Sequence, residues 1–211
     1  MNIIIMSLFV VLIVSIVLSI TYKLRNRIKR TYYESGELEA VTPYVRGKRH
    51  GIDKCYYQSG ELRYEIPYKN GKVHGIMKRY YKNGQLKTEI PFVNGKRDGI
   101  RKTYFENGKL ESEVLFVLGK EDGIYKEYYG NSRLESEVLY KNGEKHGIYR
   151  EYYENGQVEY ETSYVNGKMD GICREYYKNG QLKSEEIYSD NKLMKLDRYY
   201  DENGENMLKR K

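Results

Sequence analysis

Tryptophan does not occur in this chain of 211 residues, and phenylalanine (four), histidine (three), proline (three) and cysteine (two) are scarce. Two cysteines cannot build a disulfide framework. Cys55 and Cys173 stand five periods apart in the repeat described below, roughly 48 Å at about 4.8 Å per strand, whereas a bridge needs Cα atoms within about 7 Å. Both are expected as free thiols. The three histidines, His50, His74 and His146, each precede a glycine at a position that Asp98, Asp122 and Asp170 fill in other copies. Neighbouring copies lie about 10 Å apart, too far to share a zinc ion. No G-x-x-x-x-G-K-S/T phosphate loop is present. Glu111 with Glu113, and Glu135 with Glu137, have the sequence spacing of a carboxylate dyad, but Glu113 and Glu137 already face cations in the strand register given below. The expectation is therefore a protein with no catalytic residues, no metal and no cofactor.

The net charge of +7 is unevenly spread: residues 1–50 hold eight Lys/Arg against three Asp/Glu, so +5 of it lies there and only +2 in the remainder. A near-neutral body gives little electrostatic grip on nucleic acid. The excess follows an apolar run. Residues 1–22 contain no charged side chain, and the 20 residues from Ile3 to Tyr22 would span about 30 Å as a helix, the thickness of a bilayer core. Directly after it come Lys23, Arg25, Arg27, Lys29 and Arg30, which on the positive-inside bias remain cytoplasmic and are placed to meet anionic headgroups. The sequence thus predicts a transmembrane anchor over 1–22, a basic juxtamembrane segment over 23–30, the N-terminus outside and the body in the cytoplasm. A cleaved leader, with a secreted or periplasmic body, is the alternative; the run lacks a basic n-region and an Ala-x-Ala site.

What is abundant is tyrosine, 25 of it, and a fixed period. A Gly-Ile pair recurs at Gly51, Gly75, Gly99, Gly123, Gly147 and Gly171, every 24 residues without an insertion. Such a rhythm means a stacked repeat array, here over residues 27–208 in about seven to eight copies. Nine Asn-Gly pairs, such as Asn70-Gly71 and Asn83-Gly84, alternate at spacings of 13 and 11 residues and predict two-residue type I′ hairpins. Asn131-Ser132 lacks the glycine and should be the least tight. The fold class is all-β: an elongated, single-layer antiparallel hairpin array of about 14 to 16 strands preceded by one helix.

With Asn83-Gly84 as a hairpin tip, Lys78 falls opposite Glu89, and the same rule pairs Lys54 with Glu65, Lys102 with Glu113, Lys126 with Glu137, Arg150 with Glu161 and Arg174 with Glu185. Alternation then sorts two faces. Tyr57, Leu62, Ile66 and Tyr68 are expected on the more apolar one, Ile52, Lys54, Tyr56, Arg63, Glu65 and Pro67 on the other.

The unit G-I-x-K/R-x-Y-Y-x-N-G-x-L-x-x-E-x-x-Y-x-N-G-K-x-D/H resembles the variant MORN repeat (MORN_2 type) found in YwqK-like antitoxin proteins. The resemblance covers about residues 27–208. It implies an elongated sheet used as a scaffold or binding surface, associated with a membrane and without chemistry of its own; the antitoxin label travels with the repeat.

The sequence reading is a non-enzymatic, membrane-anchored scaffold that binds a protein partner through the aromatic row Tyr57, Tyr81, Phe105, Tyr129, Tyr153 and Tyr177. An antitoxin or immunity protein is the alternative. An uncovered apolar face of such length would be curled over, paired with a second copy or filled by a partner polypeptide. Nucleic acid is the disfavoured ligand of that row, because glutamates in register neutralise the cations beside it.

Overall fold

The structure, a computed structural model, describes residues 2–209, with the side chains of 10–22 and 26–208. An α-helix runs from Asn2 to Arg25 and passes without a linker into the first strand, Asn26–Tyr32. The side chains of Val10–Tyr22 are exposed. Among the described residues no helix is long and apolar enough to cross a membrane.

The remainder is one antiparallel sheet of 19 strands. Four of these, Lys48–Arg49, Lys72–Val73, Lys96–Arg97 and Lys120–Glu121, are two-residue pieces that lead, after one intervening residue, into the strand that follows. Counted with their continuations they leave 15 strands, within the range that the period predicts. Each strand pairs with its neighbours in sequence, for example Gly75–Tyr80 with Leu86–Val93, and that strand with Gly99–Tyr104. Every contact is thus local to one repeat or the next, as in a quasi-one-dimensional array.

The Asn-Gly pairs make two kinds of turn. At Asn70, Asn94, Asn142 and Asn166, φ is between 49° and 54°, and the following glycine is also left-handed. These are the expected type I′ hairpins. Asn83, Asn107, Asn155, Asn179 and Asn203 are not among the positive-φ residues; only their glycines are, Gly84 at +83° for one. Here Tyr81 N donates to Gln85 O (2.8 Å), and Asn83 Oδ1 accepts from Gln85 N (2.9 Å). The two-residue expectation is corrected at these five sites to a three-residue loop with one left-handed residue and an adjacent bulge, seen as a register shift between Arg79 and Tyr80. Ser132 closes its loop as the glycines do, its N–H donating to Tyr129 O at 2.7 Å, at the cost of a φ of +70°. That hairpin is not loose, contrary to the expectation from its missing glycine.

The repeat glycine has a steric reason. Gly99 has φ +116°, and a Cβ there would lie 3.1 Å from Pro91 Cβ and Cγ. The neighbouring hairpin leaves no room for a side chain.

One face buries a row of small residues: Val114 (1 % exposed), Val138 (2 %) and Thr162 (1 %). A single layer achieves this because long side chains lie across the row. Tyr125 meets Tyr140 edge-on at 6.2 Å, Tyr149 meets Tyr160 and Tyr164 at 6.2 and 6.4 Å, and Arg97 and Arg101 lie over the Phe116 ring. We refer to this side as the packed face. Both cysteines are free; Cys173 is buried there, and burial raises the pKa of each thiol.

Candidate functional site

The opposite face carries the charges that the register predicts. All six expected pairs are direct cross-strand partners. Lys54, Lys78, Arg150 and Arg174 reach their glutamates at 3.3, 3.7, 3.4 and 2.7 Å. Each glutamate also has a second cation as its partner on the far side: Glu65 with Lys78, Glu89 with Lys102, Glu113 with Lys126, Glu137 with Arg150, Glu161 with Arg174 and Glu185 with Arg198. The result is an unbroken ladder of alternating sign from Lys54 to Arg198. The cations of its close ion pairs are 34–52 % exposed, so each pair stabilises by less than about 1 kcal/mol. The ladder fixes register and, with seven cations against six glutamates, leaves little net field.

Tyrosines of the following repeat complete it. Tyr80, Tyr104, Tyr128 and Tyr152 donate their hydroxyls to Glu65, Glu89, Glu113 and Glu137 at 2.9–3.1 Å, and Tyr176 to Glu161 at 3.3 Å. Burial, followed by the hydrogen bond to Glu65 and that residue's charge, pushes the Tyr80 phenol up to about 12.

Beside the ladder runs a stripe that sequence reasoning left out of the candidate site. Ile28, Ile52, Ile76, Ile100, Ile124, Ile148 and Ile172 are each 42–57 % exposed. Opposite them lie Pro43, Pro67, Pro91, Leu115, Leu139, Ser163 and Ile187. Fourteen strand positions at ~4.8 Å give a stripe about 60 Å long, on the order of 600 Å² at ~10 Å width, the upper end of what a monomer leaves bare. Its signal was the repeated Ile after each Gly.

The face assignment also needs correcting. A bulge sets Leu62 opposite Tyr56, on the ladder face, instead of beside Tyr57. Arg63 swings the other way, its guanidinium 5.5 Å from the Tyr57 ring centre and 5.2 Å from that of Tyr64. The bare apolar stripe therefore belongs to the ladder face. The packed face, expected to be the oily one, carries Arg79, Arg101, Glu127 and Glu151 on its strands.

Tyr57, Tyr81, Phe105, Tyr129, Tyr153 and Tyr177 do form one row, half-buried, at the start of the three-residue loops. Their hydroxyls are committed: Tyr57, Tyr81, Tyr129, Tyr153 and Tyr177 each donate to a main-chain carbonyl 23 residues on, at 2.6–2.9 Å. This row staples repeat to repeat. Tyr129 and Tyr153 also edge a shallow groove with Glu154, Asn155, Glu159 and Lys178. Of the basic cluster, Arg27, Lys29 and Arg30 are exposed on the first strand, and Arg27 lies 5.4 Å from the Tyr44 ring centre; the side chains of Lys23 and Arg25 lie outside the described residues. His50, His74 and Asp98 occupy equivalent return positions, their N–H groups donating to Pro43, Pro67 and Pro91 carbonyls.

These features define a stacked-hairpin repeat array, with the charged ladder and the isoleucine stripe running side by side along one face of the sheet. The chain belongs to the MORN repeat variant family, whose unit matches residues 49–70, 73–94, 97–117, 121–142, 145–166 and 169–190, more than half of its length. No curated protein matches it. Among solved structures it is similar to a crystal structure of an S. aureus TarM mutant in complex with fondaparinux, alpha-GlcNAc-glycerol and UDP. The identity is 18 %, the coverage 46 % of this chain and 19 % of that one, and the TM-score 0.32. A likeness so partial carries no argument about function.

Proposed function

We propose that the protein is a non-enzymatic repeat scaffold that docks an apolar protein segment along its isoleucine stripe. The observation that carries this reading is the row Ile28 to Ile172, half-exposed at a constant interval down the sheet. The adjoining ladder supports a protein partner over a polyanion, because every cation from Lys54 to Arg174 faces a glutamate. Tethering at a membrane belongs to the same reading and rests on the charge-free residues 1–22, the helix Asn2–Arg25 and the exposed Arg27, Lys29 and Arg30. An antitoxin role rests on the sequence resemblance alone, and no structural observation favours it.

The test is capture of partners from intact membranes by the full chain and by a variant with Ile76→Lys, Ile100→Lys and Ile124→Lys. Loss of a specific captured polypeptide, with the β-sheet circular dichroism unchanged, supports the proposal. Equal capture by a folded variant overturns it.

A further inference from the structure

The packed face is divided by charge. Toward its N-terminal end stand Arg63, Arg79, Arg97 and Arg101, which stack on Tyr64 and Phe116. Three of them, Arg63, Arg79 and Arg101, hold a buried Nε for which no acceptor exists among the described residues. On the ladder face the cations meet carboxylates in register; here the guanidiniums meet rings.

Toward the C-terminal end the same positions turn acidic. Glu127, Glu135, Glu151 and Glu159 line a cleft of ≈ 210 Å³ with Tyr129, Ser136 and Tyr149. Tyr125 and Ser136 donate to Glu127, and Tyr149 donates to Glu151, but these are neutral donors. Burial first, then the charges of Glu127 and Glu151, raise the Glu135 carboxyl above its usual range. Lys145, over the Tyr149 and Tyr164 rings, is a cation within this half, and Arg49 with Asp53 and Lys183 with Glu175 are pairs already closed. Between the halves Thr103 is hydrogen-bonded to Ser112 at 2.6 Å, beside Glu111, which stands at the repeat position of Arg63 and Glu135.

Two patches of opposite charge, on one face and on either side of the Thr103–Ser112 pair, make a surface complementary to itself when turned end for end. A closed two-fold contact requires that property, in which a patch meets its own complement on the other copy. We propose that the packed face binds a second copy of this chain, with the arginine half of each lying against the glutamate half of the other. The outward guanidinium N–H groups would then acquire carboxylate acceptors, and the axis would pass near Thr103 and Ser112. Stacked sheets with long side chains between them are the packing such a contact uses. The proposal is independent of the isoleucine stripe, which is on the other face.

The experiment uses two full-length chains with different tags, co-expressed and purified in detergent. One variant carries Arg79→Glu and Arg101→Glu, which cancels the charge of the arginine half; the other carries Glu127→Arg and Glu151→Arg, which cancels that of the glutamate half. Wild-type chains should co-purify as a pair of twice the single-chain mass, and the pair should fall apart in about 0.5 M salt, where screening shortens to a few Å. Each variant alone should lose the pair at least tenfold. The two variants mixed should recover it, which also shows that both fold. Wild-type chains that remain single at low salt overturn the proposal. So do variants that pair with themselves as well as wild type does, which would place the contact on the stripe or the helix, and mixed variants that fail to pair.

Discussion

The hydroxyl of Tyr81 donates to the main-chain carbonyl of Tyr104 across 2.8 Å, linking one repeat to the next. Phe105 occupies the same position one period later and has no hydroxyl to give. Tyr81→Phe and Tyr153→Phe should each lower stability by about 0.5–1.5 kcal/mol, the net value of one hydrogen bond, and Phe105→Tyr should raise it by about 0.5–1 kcal/mol. Urea midpoints of the three variants decide this. An unchanged midpoint for Tyr81→Phe would remove the staple.

Leu118 sits in the left-handed region at φ +51°, 68 % exposed, at the turn position where other copies use Asn. A branched residue there carries conformational strain that Asn tolerates better. Leu118→Asn should therefore stabilise by about 0.5–1 kcal/mol, read as a higher melting temperature. A drop instead would mean that the leucine packs on something outside this chain.

Gly99 and Gly84 both have positive φ, but only at Gly99 would a Cβ meet a neighbour, Pro91 at 3.1 Å; at Gly84 nothing lies within 4 Å. Gly84→Ala should cost about 1 kcal/mol of backbone strain, whereas Gly99→Ala adds overlap and should cost about 2–3 kcal/mol. Chemical denaturation of the two variants side by side should show that order.

The folded pKa values of Tyr80 and Tyr125 are about 12, raised chiefly by burial and then by hydrogen bonds to Glu65 and Glu127. A phenol titrates near 10 in the unfolded chain. Between these values the folded state holds more protons than the unfolded one, so stability present below pH ~10 is lost as pH rises toward ~12. The urea midpoint should fall over that window, and less steeply in Tyr80→Phe with Tyr125→Phe. An equal slope in the double variant would show that the phenols are not responsible.

The strand register was open to reading because charge marks it. Lys78 and Glu89 lie at equal distances from an Asn-Gly tip, and a slip of one residue would have set unlike faces together. What stayed hidden depends on single backbone bonds. Five Asn-Gly pairs look like the other four on paper, yet the Tyr81–Gln85 closure adds a loop residue and a bulge, and the bulge decides which way Leu62 and Arg63 point. Exposure was misjudged for the same reason that it matters. Ile66 and Ile76 are equally apolar, but only Ile66 is covered by long neighbours on its face, while Ile76 is 51 % exposed. The tyrosine row was recognised as a row; that its hydroxyls reach a carbonyl 23 residues ahead cannot be read from composition.

The uniform interval has a consequence for inheritance. Excising residues 99–122 would bring Glu89 opposite Lys126 and Tyr81 beneath the Tyr128 carbonyl, substituting like for like at each junction. Misaligned recombination between copies would thus lengthen or shorten this molecule while preserving its cross-section, and its reach would vary in discrete steps.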